Sequence, residues 1–299
     1  AKFSSFKNPK AIVPPDFSYP TWEAALLDLA EYCRIHKTLV ILDEFPYAIE
    51  AESELPSLLQ RLWDEYFSET NSVMGISGSR IGIIENEVIS SRGPLYGRSK
   101  AILWLDPLEF PVLKKFLPKY SLFQLVEIYS ITGGVPLYIE MFDDSISVTQ
   151  NLKRELLSKS SILKTDPHFL IYDELNEPAR YVAILEAMGS GKVSQSEIAN
   201  AVGVEKTHVS PYLRTLEGLR YIKRHVPVTE NPKKSRKGAY VISDLFLKFY
   251  FRFIAENMGL IESGFEGKVI SEITNQLDSY VGKNGFEELC RKWLIREAN

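Results

Sequence analysis

Cysteine is nearly missing from this sequence: Cys33 and Cys290 stand alone and far apart. Two isolated cysteines argue against a disulfide framework or a cysteine-based zinc site, and they fit a reducing, cytoplasmic setting. Histidine is equally sparse. His36, His168, His208 and His225 fall in no HxxxH or HExxH spacing, which argues against metal catalysis through histidine. No apolar run approaches the roughly 18 residues that a membrane-spanning helix needs, so no membrane partner is expected. The opening "AKFSSFKNPK" lacks the charged-then-apolar layout of a signal peptide. No fixed-period repeat is evident. The absence with the largest consequence is a phosphate loop: GxxxxGK[ST] occurs nowhere. The stretch "GSGK" at 189–192 lacks the first glycine and puts Val193 where a hydroxyl should follow Lys192, so it reads as a turn.

What is present is ordinary in bulk. The chain has 299 residues, 45% of them hydrophobic and 25% charged, enough for two or three globular domains. Residues 1–20 are proline-rich and read as irregular. Thr21 is a good N-cap for the helical pattern of "TWEAALLDLAEYCRIH", whose apolar residues recur at Trp22, Leu26, Leu29, Ala30 and Cys33. The strand "TLVILDE" follows, then a helix over about 54–69, the strand "NSVMGISGS", a short helix in "RIGIIENEVIS" and a third strand in "SKAILWLDPL". Strands too apolar to alternate imply a parallel sheet covered on both faces. From about Pro111 the patterns turn helical, and from about Pro178 three helices precede two strands around the basic loop "TENPKKSRKG". Helix–turn–helix followed by a hairpin is the layout of a winged helix. The fold class expected is therefore α/β: a partial parallel P-loop-type sheet with a helical lid subdomain, followed by a winged-helix domain. The expected divisions are 1–110 for the sheet core, 111–165 for the lid, 166–250 for the winged helix and 251–299 for a helical C-terminal part.

Two constellations carry chemistry. "TLVILDEFPYAIE" drives four apolar residues into Asp43 and Glu44. Ligands of open α/β sheets bind beyond the carboxyl ends of the strands. Adjacent residues at a strand end point to different sides, so one carboxylate can hold Mg²⁺ while the other takes a proton from an attacking water. The plain alternative is a solvated strand end. "GISGS" places Ser77 and Ser79 at the same sheet edge, and "GPLYGRSK" offers Arg92 and Arg98. A guanidinium near phosphates stabilises transition-state charge, although most such arginines are simply solvated. The second constellation is the winged helix. Between Gly189 and Gly238 there are ten basic and four acidic residues, in a chain whose net charge is −4. Such concentration is a footprint for phosphate backbones. Lys233, Lys234, Arg236 and Lys237 would form the wing tip, and Lys206, Thr207, His208 and Ser210 would open the recognition helix. Protein docking is the alternative use of such a module. The aromatic run "FLKFYFRF" reads as core.

Together, "LVILDEFPYAI", "GISGSRIGIIENEV", "PLYGRS", "ITGGVPLYI" and "YVISDLFLKFYFRF" resemble the archaeal-type ATPase family, signal-transducing P-loop ATPases related to the AAA+ class. The resemblance covers about 20–299. It implies ATP and Mg²⁺ as cofactors, with Asp43 as the Mg²⁺-site acid and Glu44 as the catalytic base. It also implies Ser79 as the sensor after the next strand and Arg98 as a phosphate-sensing arginine. Gly134 and Pro136 fall where the helical lid approaches the nucleotide. A homo-oligomer or protein partner is a further expectation within such a family, and its C-terminal part resembles the start of a restriction-endonuclease-like domain; Glu287 falls where such folds sometimes carry a metal-site acid, but the rest of that core is absent and no nuclease function is expected of this chain.

The missing phosphate loop leaves two readings open. Either the loop lies in an N-terminal part outside these residues, or the chain no longer binds ATP and acts as a DNA-binding or protein-docking regulator on an α/β scaffold. A start at Ala1 and a final amphipathic helix without a cap are expected of a piece of a longer polypeptide. As it stands, nothing in the chain would cradle the β- and γ-phosphates.

Overall fold

The computed structural model describes residues 18–158, 161–227, 229–231, 235 and 238–298. The chain divides into two compact units, 1–104 and 105–299.

In the first unit, Thr21 accepts a hydrogen bond from the Ala24 amide and so starts α1, Trp22–Ile35. Next come β1 (Leu39–Leu42), α2 (Phe45–Ala51), α3 (Leu55–Glu65), β2 (Val73–Ile76) and α4 (Ile81–Ile84). Proline falls in the first turn of both α2 and α3, where its missing N–H costs nothing. β1 and β2 pair in parallel with Leu39 opposite Val73 and Leu42 opposite Ile76. Leu26, Leu29 and Cys33 of α1, Leu55, Leu59 and Leu62 of α3, Val40 of β1, and Phe45, Phe67 and Leu95 form one core. Burying each such side chain contributes about 1.5–3 kcal/mol.

Two expectations need correction here. The sheet is not covered on both faces among the described residues: Leu39, Ile41 and Val73 are 67, 63 and 63% exposed. Strand side chains alternate, so helix packing reaches only the Val40 face of β1. Nor does "SKAILWLDPL" form a strand. Residues 100–108 carry no regular structure, and Leu103 and Leu105 are 86 and 96% exposed. A strand exists only through a neighbour's backbone, and among the described residues β1 and β2 pair only with each other.

The second unit is mostly helical. Its first part holds α5 (Leu113–Phe116), α6 (Leu122–Thr132), α7 (Pro136–Glu140), α8 (Val148–Glu155) and α9 (Ile162–Glu174). Ser121 with Gln124 and Ser147 with Gln150 form reciprocal capping boxes that start α6 and α8. Then come α10 (Pro178–Gly189), α11 (Gln195–Ala201), α12 (Lys206–Gly218), and the strands β3 (Ile222–His225) and β4 (Ala239–Ile242), paired antiparallel. "GSGK" is the turn that ends α10: the Lys192 amide donates to Ala187 O (3.0 Å), Gly191 has φ +93°, and a Cβ on Gly189 would meet Phe251 O at 2.4 Å. The chain continues through α13 (Leu245–Phe249), the short α14 (Met258–Glu262), α15 (Glu266–Val281) and α16 (Glu287–Glu297). The aromatic run is core: Phe246, Phe249, Tyr250, Phe251 and Phe253 are all buried, and Tyr280 stands edge-on to Phe249 and Phe253 at 5.5 and 5.3 Å. Among the described residues no helix is long and apolar enough to cross a membrane.

Candidate functional site

β1 ends at Leu42, and its pairing with β2 continues one bond further, from the Ser77 amide to Leu42 O (3.0 Å). The two strand ends are thus held side by side, and the loops after them meet. Phe45 N–H donates back to Ser77 O (2.9 Å). This return bond is made possible by Glu44, which sits in the left-handed region at φ 50°, ψ 44°. Such a backbone costs a non-glycine residue about 1–3 kcal/mol, and strain of this kind clusters at functional sites.

The bend turns the two acids to different hydroxyls. Asp43 Oδ1 accepts from the Glu44 amide (3.2 Å) and from Ser77 Oγ in a short bond. Glu44 Oε2 accepts from Ser79 Oγ (3.0 Å) and from the Ser79 amide (3.3 Å). Between these serines, Gly78 admits no side chain: a Cβ there would lie 2.5 Å from Pro46 Cδ. Arg80, the next residue, forms an ion pair with Glu50. The arrangement presents two carboxylates with separate orienting donors at the carboxyl end of a parallel pair. That suits one for holding a cation and the other for polarising a water.

A magnesium ion fits this donor set. Mg²⁺ keeps several waters and commonly takes one or two carboxylates together with substrate phosphates. Among the described residues, no group of three or more histidine, cysteine or acidic side chains could form a self-sufficient cage. Asp43, at the strand end, could hold such an ion.

The other expected site residues stand as follows. Arg98 is engaged by Asp64 of α3, with Nε–Oδ1 at 2.9 Å and Nη2–Oδ2 at 2.6 Å, and its Nη1 donates to Pro94 O and Tyr96 O. This bidentate pairing holds the Asp64 carboxyl below the usual range. The guanidinium is therefore committed to Asp64 and not to Asp43 or Glu44. Gly134, in the second unit, has φ +87°; its carbonyl accepts from Leu108 N (2.8 Å), and a Cβ would lie 2.3 Å from Leu108 O. Pro136 opens α7. Backbone geometry alone thus explains both residue types.

Lys206, Thr207 and His208 lie exposed in the first turn of α12. Ser210 is half-buried, and its hydroxyl accepts a short bond from Gln195 Nε2, which also donates to Lys206 O (2.8 Å). Gln195 therefore ties α11 to α12, a role that only the fold reveals. Lys233, Lys234, Arg236 and Lys237 lie outside the described residues. From sequence, a hydroxyl at Ser77 is expected to meet water or the γ-phosphate; the structure instead gives it Asp43, and it gives Gly78 a packing role against Pro46. The signal for both was a glycine between two serines directly after an apolar strand.

Residues 18–142 match the model of an ATPase domain predominantly from Archaea. Residues 250–299 match a family of archaeal and bacterial proteins of unknown function. An uncharacterized protein of Methanocaldococcus jannaschii is 37% identical over 277 residues, covering 92% of this chain and 62% of the relative. The chain thus spans less than two thirds of that relative's length. No solved structure matches.

Proposed function

Over residues 18–142 the chain belongs to the family of ATPase domains found predominantly in Archaea, and from that premise we propose that it supplies the acidic half of a Mg-ATP-hydrolysing switch. The observation that carries this reading is the strained Glu44, held by Ser79 beside an Asp43 held by Ser77. When bound, Mg²⁺ would shield phosphate charge. Asp43 would hold the ion. Glu44 would accept the proton of the attacking water, and Ser79 would keep its carboxylate aimed. No GxxxxGK[ST] loop occurs in these 299 residues, so this reading requires a separate cradle for the β- and γ-phosphates. Arg98 is proposed to approach the nucleotide only in the complete site, and it would have to leave Asp64 to do so.

The test is Glu44→Gln in a polypeptide carrying both that loop and this chain. Turnover falls at least about a hundredfold, the usual scale for removing a general base, while ATP binding persists. Unchanged turnover removes Glu44 from this role.

The output arm of the switch is proposed to be a winged helix formed by α10–α12 with β3 and β4. Its support is the excess of basic residues between 189 and 238 and the exposure of Lys206, Thr207 and His208 at the start of α12. Changing Lys233, Lys234, Arg236 and Lys237 to Ala should flatten the salt dependence of duplex DNA binding, lowering its slope by roughly 0.9 for each phosphate no longer neutralised. An unchanged slope rules out a wing that touches phosphate. A second reading, a DNA-binding or docking regulator on a non-hydrolysing scaffold, is favoured by one fact: no phosphate loop occurs in these 299 residues. ATP hydrolysis by the loop-bearing polypeptide would exclude it.

A further inference from the structure

Ser77 differs from Ser79 in what it touches. Its hydroxyl donates to Asp43, whereas Ser79 attends only to Glu44. The backbone of Ser77 is fixed on both sides: its N–H donates to Leu42 O and its carbonyl accepts from Phe45 N–H, so the hydroxyl starts from a rigid position. Gly78 is closed against Pro46, which keeps the turn carrying both serines pressed on the turn carrying both acids. Asp43 is exposed and its side chain is short, so without a donor its carboxylate would sample several rotamers. Both bonds to Asp43 land on Oδ1. Oδ2 is the oxygen they leave for a cation.

We infer that Ser77 is a positioning residue for the divalent cation: it fixes Asp43 so that Oδ2 meets the ion, and it acts on the carboxylate and not on phosphate or water. The inference rests on the Mg-ATP reading above. A partner that orients a metal-binding carboxylate is commonly worth 10–100-fold in metal affinity or activity.

The experiment uses the polypeptide that carries the phosphate loop with this chain. Mn²⁺ affinity is measured in the presence of ADP from the loss of the free-ion electron paramagnetic resonance signal, for wild type, Ser77→Ala, Ser77→Thr and Ser79→Ala. Ser77→Ala weakens Mn²⁺ at least tenfold and raises the Mg²⁺ concentration for half-maximal turnover by a similar factor. Ser77→Thr, which keeps the hydroxyl, stays within threefold of wild type. Ser79→Ala lowers turnover at saturating Mg²⁺ but leaves Mn²⁺ affinity within threefold. Wild-type Mn²⁺ affinity in Ser77→Ala overturns the inference alone, as does equal weakening in Ser77→Ala and Ser77→Thr, since that marks a packing role. Absence of ADP-dependent Mn²⁺ binding in wild type overturns the Mg-ATP reading and the inference with it. Circular dichroism of each variant confirms that the fold is intact.

Discussion

The described residues contain two small sheets, each of two four-residue strands, built on opposite principles. β3 and β4 are antiparallel, and their ends Ile222 and Ile242 are paired and buried. β1 and β2 are parallel and separated by a long crossover through α2 and α3. Their pairing leaves Leu39, Ile41 and Val73 in solvent, yet it is their carboxyl ends that gather the two acids and two serines. The antiparallel pair uses its side chains for packing. The parallel pair uses its strand ends for a polar constellation, because parallel strands end on the same edge and their following loops must meet there.

The sharpest stress on this contrast falls at the meeting of those loops. Gly78→Ala forces a methyl into Pro46 and should cost about 1–3 kcal/mol, as overpacking does. It should also lower turnover of the loop-bearing polypeptide more than tenfold. Urea denaturation and a steady-state ATPase assay measure the two effects.

Acid response should have opposite signs in the two units. Arg98 depresses Asp64, so the stability this pair contributes is present above the unfolded carboxylate range and is lost as pH falls through the lower folded value. Burial pushes Asp244, the N-cap of α13, upward, despite amide bonds from Leu247 and Phe246. Its contribution is complete below the unfolded value and is lost as pH rises through the raised one. Asp64→Asn should remove the first dependence. Asp244→Asn should remove the second while keeping a cap acceptor. Urea midpoints from about pH 3 to about pH 8 check both. Wild-type pH dependence in either variant contradicts the assignment.

The smallest effect is expected on the bare face. Ile41→Ser should change stability by no more than about 0.5 kcal/mol, because the side chain is largely in water already. A loss above about 2 kcal/mol, the scale of a buried Ile truncation, would show that something covers that face.

Much of the helical plan was legible beforehand. Thr21 before Trp22 announces a helix start through a bond within four residues, so short-range sequence suffices. The third strand was not legible, since "AILWL" has strand composition whether or not a neighbour is present to pair with it. The acid pair was legible as a pair: apolar residues running into Asp43 and Glu44 mark a strand end in any sequence.

What the local sequence could not carry was orientation. The left-handed backbone of Glu44 goes together with the bond from Phe45 back to Ser77, far along the chain. Arg98 is committed to Asp64 by a loop and a helix that only tertiary packing brings together. Composition and periodicity determined which residues were apolar, capped or charged, since those properties belong to single side chains and their near neighbours. The tertiary structure decided which hydroxyl meets which carboxylate, because a hydrogen bond depends on distances of about 3 Å that no spacing along the chain encodes.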